Sequence, residues 1–159
     1  MIVYHGSNVV VQNPKIIESN RYLDFGDGFY TTTNKVQAIN FAKKVAAQRG
    51  SKPILNTYEF DENILKSSCK IKEFESANEE WIDFVSKHRS GALVKEKYDL
   101  VIGPVADDDV YRSFQLYLVG LLSLEQTVEA LKIKRLFNQY VFKNEKALLC
   151  LKFVDAKEV

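Results

Sequence analysis

The residues best suited to chemistry in this sequence lie in three short motifs, and the first is Tyr4-His5-Gly6-Ser7 near the N-terminus. An imidazole next to a glycine stands beside backbone that a ligand can approach closely. The alternative interpretation is a histidine that only packs or is solvated beside a turn.

The second motif is Gly26-Asp27-Gly28-Phe29-Tyr30, followed eleven residues later by Phe41. Tyr30 begins a hydroxyl-rich strand, and Phe41 falls on the helix that follows. The two rings could face one another across a slot for a planar heterocycle, with stacking worth about 0.5–1.5 kcal/mol per pair beyond area burial. The alternative is a tight turn followed by a half-buried strand.

The third motif is Asn138-Gln139-Tyr140-Val141-Phe142. Alternation along a strand puts Gln139 and Val141 on one face and Tyr140 and Phe142 on the other. A buried Gln139 would need a hydrogen-bond partner. The alternative is an exposed edge strand.

The sequence gives little support for a metal site or for the common nucleotide-binding motifs. Cys69 and Cys150 have no metal-site spacing, and two histidines do not complete a zinc set, so we expect no metal. The Gly26–Gly28 pair lacks the third glycine and the preceding strand of a dinucleotide fingerprint. No P-loop is present.

Strands and helices must position these motifs, and their expected order along the chain predicts one α+β domain over residues 1–159. Its sheet should be mixed or mainly antiparallel. Capping residues predict a helix from Thr33 or Asn34 to Gly50 and another from Asn78 to Gly91. Further helices are expected from Asp107-Asp108-Asp109 towards Gly120 and over Leu124 to Lys132. The predicted strands are Ile2–His5, Ile54–Phe60, Tyr98–Gly103, Asn138–Phe142 and Ala147–Val154, the last two joined by a hairpin turn at residues 143–146.

Composition narrows the class of protein. The 159 residues are 46% hydrophobic, which is enough for a core, and the net charge of +1 argues against a broad basic face for duplex nucleic acid. No leader pattern is visible, and the most apolar run, residues 116–122, is far shorter than the roughly 20 residues of a membrane span. Two cysteines fit a reducing compartment. We therefore expect a soluble cytoplasmic protein that does not bind membranes.

Taken in order, the three motifs resemble those of the ADP-ribosyltransferase superfamily, in the branch shared by diphtheria toxin and the poly-ADP-ribose polymerases. Tyr4-His5-Gly6-Ser7 resembles Tyr-His-Gly-Thr, residues 26–30 resemble Gly-Lys-Gly-Ile-Tyr, and Asn138-Gln139-Tyr140 resembles Asn-Glu-Tyr. Phe41 matches the second stacking aromatic. Asp24-Phe25-Gly26, residues 78–89 and residues 102–108 also resemble a small bacterial family known mainly as a domain of unknown function.

The resemblance implies a split-sheet core with a cleft that binds NAD as substrate. His5 would bond the adenosine ribose, Gly6 would offer backbone groups to the carboxamide beside Ser7, and Tyr30 and Phe41 would stack on nicotinamide. Residue 139 would hold the nicotinamide ribose, so that His5, Tyr30 and Gln139 form the catalytic set. The other expected NAD-binding positions are Tyr4, Gly28 and Asn138.

Two positions depart from the superfamily pattern, because Gln139 replaces the usual Glu and Ala38 replaces a serine that binds nicotinamide. A neutral Gln139 keeps a hydrogen bond and loses the charge that offsets a ribosyl cation, which favours mono- over poly-ADP-ribosylation. Glu145 lies about 20 Å further along an unbroken strand and is not assigned as a substitute.

The resemblance therefore predicts a mono-ADP-ribosyltransferase with a macromolecular acceptor, a protein in preference to a nucleic acid. By analogy alone it would be a toxin or effector controlled by an antitoxin or other regulatory partner. Two interpretations stay open: an inactive module that binds NAD or a partner, and an interaction protein whose motifs are structural. The resemblance does not explain the helical insert of residues 62–132, where we expect acceptor or partner contacts.

Overall fold

The computed structural model describes residues 1–18, 23–91, 94, 97–105, 108–132 and 136–159. These residues form seven strands and six helices. The strands are β1 (Ile2–Ser7), β2 (Phe29–Thr32), β3 (Ile54–Glu59), β4 (Ile71–Glu73), β5 (Leu100–Pro104), β6 (Asn138–Phe142) and β7 (Lys152–Glu158). The helices are α1 (Lys35–Arg49), α2 (Glu62–Ser68), α3 (Glu79–Arg89), α4 (Asp108–Leu118), α5 (Leu124–Lys132) and α6 (Glu145–Leu148).

The strands form one sheet in the order β4-β5-β6-β2-β1-β3-β7. Strands β4 and β5 pair in parallel, and the other neighbours pair antiparallel, so the predicted α+β class with a mixed sheet is confirmed.

The sheet is nearly divided in the middle. Strand β1 pairs with β2 at a single position, Tyr4 opposite Thr32. By contrast, β1 pairs with β3 along its whole length, from Ile2 to Ser7, and β2 pairs with β6 along its whole length, from Phe29 to Thr32. Two half-sheets, β4-β5-β6-β2 and β1-β3-β7, therefore meet at one residue pair.

Each face of the sheet carries its own core. One cluster includes Trp81, Phe114 and Val141, and α3, α4 and α5 contribute to it. The other includes Val3, Tyr58 and Phe142, with residues of α2 and α6. Because successive strand residues point to opposite faces, the alternation of each strand decides which core it enters.

The capping signals located the two longest predicted helices correctly. The Asn34 side chain accepts a hydrogen bond from the Gln37 backbone N–H, and Gly50 ends α1 with a φ of 60°. The Asn78 side chain accepts from the Trp81 backbone N–H at the start of α3. Asx side chains at N-caps and a left-handed glycine at the C-terminus are local features, so they can be read directly from sequence.

The predicted hairpin at residues 143–146 is wrong. Asn144 instead caps the short helix α6, and the last strand begins only at Lys152. Strand β6 lies between β5 and β2, whereas β7 pairs with β3 at the sheet edge. Turn-forming residue types at 143–146 predict a reversal of direction, although an asparagine suits a helix start equally well.

The segment of residues 62–132 is more than a helical insert. Besides α2, α3, α4 and α5 it contains β4 and β5, which complete one side of the sheet. Helix α2 and strand β4 were not predicted. Asp107 of the predicted acidic helix start lies outside the described residues, and α4 begins at Asp108. Among the described residues, no helix is long and apolar enough to cross a membrane.

Candidate functional site

His5 bridges the gap where β1 and β2 separate. Its Nδ1 lies 2.7 Å from the backbone oxygen of Tyr30. A carbonyl oxygen only accepts, so Nδ1 carries the proton and Nε2 is the ring's acceptor. Burial lowers the pKa of His5, with the bond to Tyr30 as a smaller opposing effect, so the imidazole is neutral at pH 7. The ring lies against Phe29, with centroids 4.5 Å apart.

Gly6 provides the close approach between β1 and α1. A Cβ added to Gly6 would lie 2.1 Å from the Ala38 backbone oxygen and 2.8 Å from the Ala42 backbone nitrogen. Helix α1 buries Ala38, Ala42 and Ala46, whose small side chains allow it to lie this close to the strand. The packing of α1 against β1 therefore requires glycine at position 6, whether or not a ligand also binds there.

Tyr30 is anchored at its hydroxyl. The hydroxyl donates to the Gly26 backbone oxygen at 2.7 Å and accepts from the Phe25 backbone N–H at 3.1 Å. Burial raises the pKa of Tyr30, so the phenol stays protonated. The ring is only half-buried and packs against the core cluster of Trp81 and Val141.

The loop of residues 24–28 that receives the Tyr30 hydroxyl is held by charged groups. The Arg89 guanidinium pairs with the Asp24 carboxylate, and both side chains are largely buried. Lys143 donates from Nζ to the Phe25 backbone oxygen, and burial lowers the pKa of this lysine to about 8. Arg89 and Lys143 were not predicted, because no local signal connects either of them to this loop.

Phe41 lies on α1, three residues after Ala38, and is 53% exposed. Helix α1 covers the face of the sheet to which Tyr30 also points, so both predicted stacking residues lie on this side. Exposure of this size leaves the Phe41 ring accessible to a ligand.

Gln139 is buried, with 6% of its surface exposed. Its Nε2 donates to the Pro104 backbone oxygen at 3.4 Å, which also accepts from Trp81 Nε1 at 3.2 Å. The predicted alternation of β6 is confirmed, since Val141 belongs to one core and Tyr140 and Phe142 contact the other. The alternative of an exposed edge is wrong, because β6 has a neighbour on each side.

A polar row crosses the joint between the two half-sheets. Tyr4 pairs with Thr32, and Thr32 pairs with Gln139. The Thr32 hydroxyl lies 2.9 Å from Gln37 Oε1 and 3.1 Å from the Asn138 backbone oxygen. Thr32 therefore links the start of α1 to the start of β6.

The structure brings together most, but not all, of the predicted site residues. Strand alternation puts Gly6, Tyr30 and Gln139 on the face covered by α1, and His5 on the opposite face with Phe29. His5 meets the other residues only through the gap between β1 and β2.

The remaining predicted positions have local roles. The Ser7 hydroxyl accepts from the Val9 backbone N–H at 3.3 Å, and a Cβ on Gly28 would lie 2.5 Å from Val141 Cγ1. The Tyr4 ring lies 6.0 Å from Lys35 Nζ, and Asn138 is exposed.

A cavity of about 350 Å³ opens beside the start of β6. Its lining includes Pro104 and Asn138, which neighbour Gln139, and Val128 and Leu131 of α5. Glu75 also lines it. The described residues contain no cluster of three or more His, Cys, Asp or Glu side chains arranged for a metal ion.

The fold and site define an α+β protein with a nearly divided mixed sheet and a polar row at the division. Residues 1–153 match the model of a family described as "Protein of unknown function (DUF3990)". The chain therefore belongs to this family. Neither the curated proteins nor the solved structures contain a match to this sequence.

Proposed function

We propose that this protein is an NAD-dependent mono-ADP-ribosyltransferase whose NAD site lies at the joint between β1 and β2. The observation that carries the proposal is the single-pair joint itself, which His5 spans by bonding to the Tyr30 carbonyl. All three sequence motifs converge there, since β1, β2 and β6 are consecutive in space.

The reaction requires nicotinamide to leave and the anomeric carbon of the ribose to gain positive charge before the acceptor attacks it. His5 Nε2 is a neutral acceptor suited to a ribose hydroxyl. Tyr30 and Phe41 supply ring faces for nicotinamide. The oxygen of the Gln139 amide can accept a second ribose hydroxyl, because its nitrogen donates to Pro104.

The neutral amide of Gln139 sets the type of reaction. It orients the ribose without offsetting its charge, so chain elongation, which needs an activated ribose hydroxyl, is not expected. The acceptor would supply its own carboxylate or base. With a net charge of +1, a protein acceptor fits better than a nucleic acid.

A second candidate function is an inactive module that binds NAD or a protein partner. It is favoured by one observation: the Gln139 amide is buried and already bonded to Pro104. A toxin or effector role with an antitoxin partner belongs to the first candidate and rests on analogy alone.

The decisive experiment follows labelled NAD with a cell lysate as the source of acceptors. Phe41→Ala should lower label transfer at least tenfold, through the loss of ring stacking worth about 0.5–1.5 kcal/mol plus apolar contact area. Val36→Ala is the matched control, since Val36 is 65% exposed on the same helix. NAD binding by calorimetry and release of nicotinamide are measured alongside.

The outcomes separate the candidates. Transfer that depends on Phe41 and is indifferent to Val36 supports the transferase. Calorimetric binding without nicotinamide release or transfer supports the inactive module. No binding at millimolar NAD would refute both the transferase and an NAD-binding module.

A further inference from the structure

The fold brings the chain's two cysteines, far apart in sequence, against the same core cluster. Cys69 follows α2 and Cys150 follows α6. Both pack against the core cluster of Val3 and Tyr58, and Cys150 contributes to the raised pKa of the Cys69 thiol. Both are free thiols and partly exposed.

Asp99 ties together the two segments that carry these cysteines. Its carboxylate accepts from the Lys70 backbone N–H at 2.7 Å, next to Cys69. It also accepts from Lys146 Nζ at 2.9 Å. The Cys150 sulfur in turn lies 3.9 Å from the Lys146 backbone oxygen. Asp99 and Lys146 therefore hold the two cysteine-bearing segments together.

Cys150 is the cysteine that solvent reaches through a cavity. Cys150 lines a cavity of about 540 Å³ together with Met1, Phe60 and Lys152. A small disulfide can therefore reach Cys150 without unfolding the chain. Cys69 is the less reactive thiol, because burial, and then its neighbour Cys150, raise the pKa of Cys69 to about 11.

We propose that Cys69 and Cys150 form a reversible redox pair, which a low-molecular-weight disulfide such as oxidised glutathione closes to an intramolecular disulfide. The Cys150 thiolate attacks glutathione disulfide, forming a mixed disulfide and releasing one glutathione thiolate. The Cys69 thiolate then attacks the Cys150 sulfur and releases the second. Overall, two protein thiols lose two electrons, glutathione disulfide gains them, and the two protons pass to the released glutathione.

Protonation of Cys69 sets the speed of the second step. Only the thiolate attacks a disulfide. A pKa of about 11 for the Cys69 thiol therefore leaves few Cys69 side chains ionised at neutral pH. The closing rate should rise about tenfold per pH unit between pH 7 and 10. The pair is thus a slow, equilibrium-controlled modification site.

In the test, the full chain is equilibrated in glutathione buffers and the remaining thiols are alkylated. The mass of the protein is then measured by mass spectrometry. The equilibrium constant for closure is measured in native conditions and again in urea, where the cysteines are joined only by flexible chain. We expect the native constant to exceed the unfolded one by more than about 30-fold, and the oxidised protein to melt about 5 °C or more higher.

Variants identify what brings the thiols together. Lys146→Met removes the Asp99 contact and should lower the native constant severalfold. Lys157→Met, which removes an exposed pair with Asp155, should leave it unchanged. Cys69→Ser and Cys150→Ser should yield only mixed disulfides. A native-to-unfolded ratio below 30, or oxidation of the wild type that ends at mixed disulfides or linked dimers, would overturn the proposal.

Discussion

Replacing Gly6 with alanine tests whether this glycine is fixed by packing or by ligand binding. The added Cβ would lie 2.1 Å from the Ala38 backbone oxygen, whereas real Cβ contacts essentially never fall below 3.0 Å. The obstacle is helix backbone, which cannot swing aside as a side chain does. Helix α1 must therefore retreat by about 0.9 Å, the difference between these two distances.

The retreat of α1 has a calculable cost. A radial gap of 0.5–1 Å forfeits about a quarter to a half of the dispersion energy between the surfaces it separates. Ala38, Ala42 and Ala46 would all lose contact with the strands in this way. Together with residual overlap, we expect the free energy of unfolding to fall by about 3 kcal/mol, at the upper end of overpacking substitutions.

The assay is urea unfolding followed by circular dichroism, without NAD. Gly103→Ala is the control, since its Cβ would lie 3.1 Å or more from the side chains of Phe25 and Phe74, which can shift by a few tenths of an ångström. We expect it to cost about 1 kcal/mol. If Gly6→Ala destabilises by no more than Gly103→Ala, then α1 does not pack on β1 as described.

Three further predictions concern the surroundings of the site. Arg89→Met should cost about 2–4 kcal/mol in urea unfolding, because it removes the guanidinium that pairs with the largely buried Asp24 carboxylate; a loss below 1 kcal/mol would contradict this. Lys143 has its pKa lowered to about 8 in the folded chain, so the unfolded chain binds more protons above that pH, and stability should rise between pH 8 and 10.5 by up to about 3 kcal/mol relative to Lys143→Met. A flat difference between the two proteins over this range would refute it. Asn34→Ala should cost about 1 kcal/mol through loss of the α1 cap, and Asn34→Gly less, as measured by thermal unfolding; equal effects would contradict the capping role.

Local signals in this sequence predicted local structure well. Asn34, Asn78 and Gly50 act within one helical turn of themselves, and each marked a helix end that the structure confirms. The alternation of β6 was also predicted, because a strand's two faces depend only on its own residues.

Pairing between distant segments could not be predicted in the same way. The sequence of residues 138–154 does not indicate that β7 pairs with β3 whereas β6 pairs with β2. Strand β4 has three residues, Ile71, Lys72 and Glu73, too few to show a period, and it exists because β5 offers it a parallel edge. Strand preference of this kind depends on neighbours rather than on intrinsic propensity.

That the three motifs lie close together could be predicted from the sequence, but the orientation of their side chains could not. The residues of the three motifs do converge on adjacent strands and α1. However, His5 and Tyr30 point to opposite faces, and the Tyr30 hydroxyl is already bonded within the loop of residues 24–28. The groups that hold this loop, Arg89 and Lys143, are distant in sequence and became visible only in the fold.

The glutamine at position 139 has a physical explanation that the sequence alone did not supply. The Pro104 carbonyl accepts from the Gln139 amide as well as from Trp81 Nε1, and an ionised carboxylate at position 139 could not donate to it. Glutamate there would set two acceptors against each other in a site that is 6% exposed, which raises the pKa of the introduced carboxyl. Its folded-state pKa would then exceed the unfolded value, so Gln139→Glu should be most stable relative to wild type at acidic pH and lose that stability as pH rises. Gln139 is thus part of the Trp81–Pro104–Gln139 hydrogen bonds, in which a carboxylate would lack the donor that the amide supplies.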